Sequence, residues 1–255
     1  MAHVIAVANQ KGGVGKTTTT VNLAAFLAEL GKFVLVVDLD PQANASSGLG
    51  IDHKALTQGI YECLSGSCKA ADIIHETPHE GLHILPSTAA LAAAAVELVT
   101  AENREQYVRN ALREIRNNYD YIFIDLPPSL GLITLNGFVA SDSVLIPVQA
   151  EYYALEGLGQ LMETIGLIQG GLRPELVVMG AVITMYDSRT RLSKEVLEEL
   201  YKYFPNRIFR SVIPRSVRLA EAPSFGKTIL GYDKYSKAAR AYERLAQEFL
   251  MKDGG

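Results

Sequence analysis

A short segment near the start of the chain combines lysines, glycines and threonines at a spacing suited to binding phosphate. The segment is Lys11-Gly12-Gly13-Val14-Gly15-Lys16-Thr17-Thr18, and it lies between an apolar run at residues 4–8 and a helix-forming stretch. Glycines let the backbone curl so that successive N–H groups point at one anion, and the N-terminus of the next helix adds positive charge. Lys16 would contact the β- and γ-phosphates, and the Thr17 hydroxyl would bind Mg²⁺. The sequence therefore predicts a nucleoside triphosphate site.

The segment departs from the ordinary phosphate-loop pattern G-x-x-x-x-G-K-[ST] at its beginning. Gln10 stands where the first glycine would be, and a second lysine, Lys11, follows it. A lysine in such a loop is by default a solvated charge, but beside bound phosphates it can stabilise charge that develops in phosphoryl transfer. The spelling K-G-G-x-G-K-T-T resembles the deviant Walker A motif, whose first lysine reaches the nucleotide of the other subunit in a dimer.

Carboxylates follow two further apolar runs, at the points where buried strands would end. Residues 33–37 lead into Asp38 and Asp40, and residues 121–124 lead into Asp125. Strand carboxyl ends border the ligand crevice of a doubly wound sheet, so we expect Asp38 and Asp40 beside Mg²⁺ or its waters. The two stretches resemble the switch I and Walker B segments of the deviant Walker proteins, which implies that Asp40 orients the attacking water and that Asp125 holds Mg²⁺ through a water molecule. The alternative for Asp40, which precedes Pro41, is a turn-forming role.

Apolar runs alternate with helical repeats along the 255 residues, of which 48% are hydrophobic. The pattern predicts an α/β P-loop NTPase fold, with a doubly wound, mostly parallel sheet of seven or eight strands and helices on both faces, in one domain over residues 1–255. Predicted strands are residues 4–8, 33–37, 82–86, 121–125, 143–148, 177–184 and 207–213. Predicted helices are residues 18–30, 60–64, 89–99, 102–117, 155–169, 192–204 and 234–250. Residues 44–81 are rich in glycine and serine, which predicts an irregular segment outside the sheet.

Charge and composition restrict the class of protein. The net charge is −4, yet residues 202–227 carry six basic residues against one acid, which predicts a basic surface near the C-terminus. Neither a signal sequence nor a run of about 20 apolar residues is present, so we expect a cytoplasmic protein. The letters H-E-x-x-H at residues 75–79 do not predict zinc, because Pro78 would break the helix that such a site needs.

With these motifs in place, the chain resembles the ParA/Soj family of chromosome-partitioning ATPases over nearly its whole length. The resemblance extends from the phosphate loop and the carboxylate segments to residues 147–157, which include Tyr152 and Tyr153, and to residues 184–190 and 213–227. It implies ATP and Mg²⁺ as cofactors, an ATP-dependent homodimer, non-specific binding of double-stranded DNA, a ParB/Spo0J-type partner and a nucleoid location.

The same resemblance assigns roles to residues of the later blocks. Nucleotide contacts fall on Met185, Pro214, Arg215 and Ser216, although similar chromosomal proteins usually carry Asn at position 216. The DNA-binding face falls on Arg189, Arg215, Arg218 and Lys227, in agreement with the basic character of residues 202–227. Lys11, Lys16 and Asp40 are the implied catalytic residues.

Two alternatives use the same nucleotide site. A MinD-like ATPase that places the division site would cycle on the membrane, and such proteins end in a basic amphipathic helix, whereas residues 246–255 have little basic character and end in glycines. An iron–sulfur reductase component would need cysteines that hold a cluster between subunits, and Cys63 and Cys68 lie in the wrong segments for that. The partitioning ATPase is the favoured interpretation, without contact with a membrane.

Overall fold

A twisted β-sheet forms the centre of the molecule. The computed structural model describes residues 1–151 and 154–253, so Tyr152, Tyr153 and the last two glycines lie outside the described residues. Within those residues seven strands form one sheet in the order β3-β4-β2-β5-β1-β6-β7, parallel except for β3. The strands are β1 (His3–Val7), β2 (Val34–Asp38), β3 (His75–Glu76), β4 (Leu82–Leu85), β5 (Tyr121–Asp125), β6 (Ser143–Gln149) and β7 (Val177–Thr184). The predicted fold class is confirmed.

Helices cover both faces of the sheet. They are α1 (Lys16–Glu29), α2 (Asn44–Gly48), α3 (Ile60–Leu64), α4 (Leu91–Glu97), α5 (Tyr107–Leu112), α6 (Leu132–Ala140), α7 (Ala154–Gly171), α8 (Arg191–Tyr203), α9 (Val217–Glu221), α10 (Ile229–Tyr232) and α11 (Lys237–Asp253). Successive strand residues alternate between two separate cores: Ile5 packs with α1 and α11, whereas Val4 and Ala6 pack with α6 and α7. Two apolar layers explain why the strands are uninterrupted apolar runs.

The prediction of a strand at residues 207–213 is wrong. The seven described strands include β3 instead, which was not predicted. Residues 207–213 do run beside β7, where the Ala181 N–H donates to the Arg207 carbonyl at 2.7 Å. The Phe209 N–H also donates to the Ala181 carbonyl, and the Ile213 N–H donates to the Ile183 carbonyl. Between these two contacts the N–H groups of residues 210 and 211 donate to the Glu248 carboxylate at 2.7 and 2.8 Å, which interrupts the ladder. A side chain of α11 thus takes the donors that would extend a strand.

Two other segments differ from their predictions. The predicted helix 102–117 is reduced to α5 and a 3₁₀ turn at Arg116–Asn118, because the chain turns through Asn103 with a positive φ of 50°. Residues 44–81 are predicted to be irregular apart from a short helix near residues 60–64. The helix α3 confirms that part of the prediction. The segment also holds α2 and β3. The H-E of H-E-x-x-H lies in β3 and not in a helix, in agreement with the argument from Pro78.

The last helix, α11, lies on the sheet with its apolar face inward. Tyr242, Leu245 and Phe249 are at most 1% exposed, and the Phe249 ring packs against Phe123 of β5 at a centroid distance of 5.7 Å. None of the helices within residues 1–151 and 154–253 combines the length and apolarity needed to cross a membrane.

Candidate active site

The phosphate loop connects β1 to α1 at the carboxyl edge of the sheet. Gly13 and Gly15 adopt left-handed backbone conformations, with φ of 75° and 88°. Residues that have a Cβ rarely adopt these conformations. The Thr184 hydroxyl, at the end of β7, donates to the Val14 carbonyl at 2.7 Å and so fixes the loop to the sheet. Sequence analysis gave Thr184 no such role, because only the sheet order brings β7 near the loop.

Lys16 is held under the loop, with only 7% of the residue exposed. Its ammonium group donates to the Lys11 carbonyl at 3.4 Å. Burial lowers the pKa of Lys16, while Asp125 and Asp40 act in the opposite direction by favouring the charged form. The geometry places a cation beside the loop glycines in the cleft lining, as a phosphate site requires.

Asp125 lies at the end of β5 and accepts two hydroxyl hydrogen bonds from α1. Thr17 Oγ1 donates to one carboxylate oxygen at 2.7 Å, and Thr20 Oγ1 donates to the other at 2.9 Å. Burial, followed by the proximity of Asp38, raises the pKa of Asp125 to about 7. A hydroxyl and a carboxylate are oxygen ligands of the kind Mg²⁺ prefers, so Thr17 and Asp125 fit the predicted metal site. Thr20 was missed, although it stands one helical turn after Thr17 on the same face.

Asp38 lies beside Asp125 in the parallel pairing of β2 with β5. Its carboxylate accepts the Ser46 N–H and hydroxyl, both at 2.8 Å, and the Asp40 N–H at 3.1 Å. Burial raises the pKa of Asp38 to about 6, although the Ser46 hydrogen bonds oppose this. Through these contacts Asp38 anchors α2 to the end of β2. Direct contact between Asp38 and a metal ion stays a prediction.

A cleft of about 680 Å³ opens above the phosphate loop and brings the predicted phosphate and switch residues together. Asp40 lies on its wall with its carboxylate accepting the Gln42 N–H at 2.9 Å. The described lining residues are Gly12, Gly13, Gly15, Lys16, Thr17, Thr18, Val21, Asp40, Gln42, Asn44, Ser47, Gly48, Pro128, Met185, Pro223 and Ser224. The volume falls within the range of small-molecule sites.

A second cavity of about 240 Å³ adjoins the cleft and is lined by the later residues predicted to contact the nucleotide. Met185, Pro214, Arg215 and Ser216 line it together with Gly15 and Thr18, among other residues. Met185 has a left-handed φ of 51°, an unfavourable conformation for this residue that is often found at functional sites. These four predicted nucleotide contacts therefore lie side by side next to the phosphate loop.

Lys11 points away from its own cleft and pairs with Glu151. The ammonium–carboxylate distance is 2.8 Å, and the two side chains are 41% and 42% exposed. The Asn9 carboxamide accepts the Lys11 N–H at 3.0 Å and thereby shapes the backbone before the glycines. The Glu151 partner was not predicted, since 140 residues separate it from Lys11.

The four residues of the predicted DNA-binding face differ in their surroundings. The Arg189 side chain is 87% exposed but is bound to Asp187 at 2.7 Å, and this contact lowers the pKa of Asp187 to about 2. Arg218 lies 3.5 Å from Glu221 and over the Tyr232 ring. Arg215 and Lys227 are exposed. The Arg215 N–H donates to the Tyr186 carbonyl, which joins the loops that carry Arg189 and Arg215.

Together, the doubly wound sheet, the phosphate loop after β1 and the carboxylate after β5 define a P-loop nucleoside triphosphatase. A family model for the AAA domain matches residues 2–178. The sporulation initiation inhibitor protein Soj of Bacillus subtilis is 53% identical over 97% of this chain and 98% of its own length. The chromosome partitioning protein ParA of Myxococcus xanthus is 50% identical over 99% of this chain and 89% of its own length. The chain belongs to the ParA/Soj family of chromosome-partitioning ATPases.

A solved structure extends the likeness to the fold. Cobyrinic acid a,c-diamide synthase from Mycobacterium smegmatis, solved with bound ADP and magnesium, superposes with a TM-score of 0.88. It is 37% identical, and the match covers 100% of this chain and 97% of that chain.

Proposed function

We propose that this protein is an ATP- and Mg²⁺-dependent ATPase that dimerises on ATP, binds DNA without sequence preference, and partitions a chromosome or plasmid with a ParB/Spo0J-type partner. Its place of action is the nucleoid in the cytoplasm. The family membership supports the partitioning role. The cleft lined by Lys16 and Thr17, with Asp125 hydrogen-bonded to Thr17, supports ATP and Mg²⁺ as ligands. The relative solved with ADP and magnesium agrees with this choice of ligands.

The observation that carries the proposal is the different placement of the two lysines of one loop. Lys16 is buried under its own cleft, whereas Lys11 is half-exposed and held on Glu151 at the rim. Lys11 can therefore leave an exposed ion pair, which is worth about 1 kcal/mol at most, for the phosphates of a facing subunit. A cation that arrives only on dimerisation couples hydrolysis to assembly, because developing charge on the phosphate is stabilised only then.

Within each subunit the chain's own groups have separate tasks. Lys16 and the loop N–H groups hold the β- and γ-phosphates, and the Thr17 hydroxyl and the Asp125 carboxylate provide oxygen ligands at the metal position. Asp38 keeps α2 in place through Ser46, with direct metal contact as a further proposed role. Asp40, on the cleft wall, orients the attacking water. Bound Mg²⁺ supplies charge neutralisation for the β- and γ-oxygens.

DNA binding follows from exposed cations beside the nucleotide cavity. Arg215 lines that cavity and is exposed, and Arg218 follows three residues later in α9. Lys227 comes shortly after Pro223 and Ser224, which line the cleft. Arg189 contributes after it exchanges Asp187 for phosphate. A dimer presents two copies of this patch, so weak contacts of a monomer become strong through effective concentration.

We expect Arg218→Glu to weaken DNA binding at least about tenfold, and the double variant with Arg189→Glu to weaken it further, without loss of ATP-dependent dimerisation. Each lost phosphate contact should lower the slope of log affinity against log salt by about one. Fluorescence anisotropy with duplexes of unrelated sequence at several salt concentrations measures this. Arg244→Glu, an exposed arginine of α11, is the matched control. Unchanged affinity in an intact dimer would remove Arg218 from the DNA face.

The membrane-cycling alternative is less well supported by the packing of α11. Its apolar residues face the sheet, with Tyr242, Leu245 and Phe249 at most 1% exposed. A helix that binds a membrane surface needs its apolar face available to the lipid. The DNA-binding interpretation requires no such rearrangement.

A further inference from the structure

An apolar groove lies away from the nucleotide cleft, between α6, α7 and the segment after α4. Its volume is about 480 Å³, and Leu132, Leu135 and Phe138 of α6 face Leu167 and Ile168 of α7 across it. Three further apolar residues complete its edges: Val99, Leu130 and Leu172. The size is suited to several apolar side chains of a ligand. Among the described residues, the groove and the nucleotide cleft share no lining residue.

Several apolar side chains at the rim of the groove are exposed to solvent, although their burial would be energetically favourable. Leu167, on the outer side of α7, is 80% exposed, and Val99, Leu130 and Leu172 are each nearly half exposed. Beside Leu167, Gly166 and Gly170 have no atom within 4 Å of the position of an added Cβ, so another backbone can approach α7 closely. Contiguous exposed apolar surface of this kind typically marks a protein-binding site.

The charge around the groove selects the kind of partner. Residues 97–105, α6 and α7 together carry five carboxylates and one base, Arg104. Arg104 is already bound to Glu105 at 3.1 Å and to the Val99 carbonyl at 2.7 Å. The carboxylates are Glu97, Glu102, Glu105, Glu156 and Glu163. A second copy of this acidic surface or an anionic lipid would be repelled, whereas a basic ligand would be attracted.

Two contacts connect the groove to the loops of the nucleotide site. Thr164 of α7 lines the groove, and its hydroxyl accepts a hydrogen bond from the Gln10 side chain at 3.3 Å, directly before Lys11. Thr134 of α6 also lines the groove, and its hydroxyl donates to the Ser129 carbonyl at 2.5 Å. Ser129 follows Asp125 by four residues. A ligand in the groove therefore contacts two helices, α6 and α7, that are each hydrogen-bonded to a loop of the nucleotide site.

The packing of α6 strengthens the second connection. Gly137 lies on the side of α6 that meets Leu126, and the Leu126 side chain leaves no room for a Cβ at this position. Leu126 directly follows Asp125 in the chain. Since α6 is in close contact with Leu126 and lines the groove with Leu135, a shift of this helix moves the residues next to the metal position.

We propose that the groove between α6 and α7 binds a basic amphipathic helix of a partner protein, and that this binding controls hydrolysis through α6 and the loop before Lys11. The apolar face of such a helix, with side chains at i, i+3, i+4 and i+7, fills the groove. Its lysines and arginines meet carboxylates that neighbour the lining, above all Glu163, which precedes Thr164 and stands one helical turn before Leu167. The inference rests on the proposed function in one respect, since it assigns this surface to the ParB/Spo0J-type partner.

The test compares Leu167→Glu and Glu163→Lys with two matched controls on α11, Met251→Glu and Glu243→Lys. Met251 is 77% exposed, and Glu243 is an exposed helical carboxylate. Two probes are titrated by anisotropy: the purified ParB/Spo0J-type partner, and an 18-residue peptide of leucine and lysine in the i, i+3, i+4, i+7 pattern, about five turns long. A leucine–glutamate peptide of the same pattern serves as the charge control.

We expect both groove variants to bind the partner and the leucine–lysine peptide at least about tenfold more weakly, with partner-stimulated hydrolysis reduced equally. Basal hydrolysis, DNA binding and both α11 controls should stay within about twofold of the unaltered protein. Equal binding of the partner by the unaltered protein and by Leu167→Glu overturns the inference. If the unaltered protein binds the peptide but not the partner, the groove stands and the proposed partner class fails; if it binds neither, both fail.

Discussion

Lys16→Ala is expected to weaken ATP binding at least about 100-fold, or about 2.7 kcal/mol, whereas Asp40→Ala is expected to retain ATP affinity and lose turnover. Lys16 is the buried cation of the cleft, so its removal leaves the β- and γ-phosphates without their nearest positive charge. Asp40 lies on the cleft wall and accepts the Gln42 N–H, so its removal leaves the phosphate loop intact.

The two variants separate binding from chemistry when affinity and rate are measured on the same preparations. Equilibrium titration with a fluorescent ATP analogue gives the affinity, and phosphate release gives the rate. Asp40→Ala should hydrolyse at least about 100-fold more slowly and accumulate as an ATP-bound dimer. Lys54→Ala, at an exposed lysine outside the cleft, should match the unaltered protein in both assays. Normal hydrolysis by Asp40→Ala would exclude it from catalysis.

Lys11→Gln is expected to bind ATP within about threefold of the unaltered protein but to lose ATP-dependent dimerisation and at least about 100-fold in turnover. The side chain is held outside its own cleft on Glu151, so it contributes little to binding within one subunit. In a dimer it would supply the cation that stabilises developing phosphate charge. A loss of this size in turnover is typical when such a cation is removed from a phosphoryl-transfer site.

Light scattering with and without ATP, at several protein concentrations, measures the first effect, and phosphate release measures the second. Lys54→Gln is the control for the loss of a surface charge. A Lys11→Gln protein that dimerises and hydrolyses ATP as the unaltered protein does would make Lys11 an ordinary exposed cation, and the account of action in trans would have to be abandoned.

Local patterns were sufficient for the parts of the fold that depend on neighbouring residues. The glycines before Lys16 predict the curled loop because left-handed φ values at Gly13 and Gly15 need no Cβ. The apolar run before Asp125 predicts β5 to the residue, because a strand buried on both faces has no polar positions. Residues whose role is fixed by their own segment could therefore be identified from the sequence.

Contacts between distant segments could not be predicted in this way. Glu151 reaches Lys11 and Thr184 reaches Val14 only because the sheet order places β6 beside β1 and β7 beside β6. The wrong strand at residues 207–213 has the same origin, since Glu248 binds its backbone from a helix 38 residues further along the chain. The amino-acid spacing carries no information on such pairs without the fold.

The most direct test of the proposed function is co-sedimentation of the unaltered protein with DNA and, separately, with liposomes of anionic lipid, in ATP, in ADP and without nucleotide. We expect the protein to sediment with DNA in ATP and Mg²⁺, to be released in ADP, and to remain in solution with liposomes under all three conditions. Sedimentation with liposomes in ATP, without binding to DNA, would contradict the partitioning role and favour the membrane-cycling alternative.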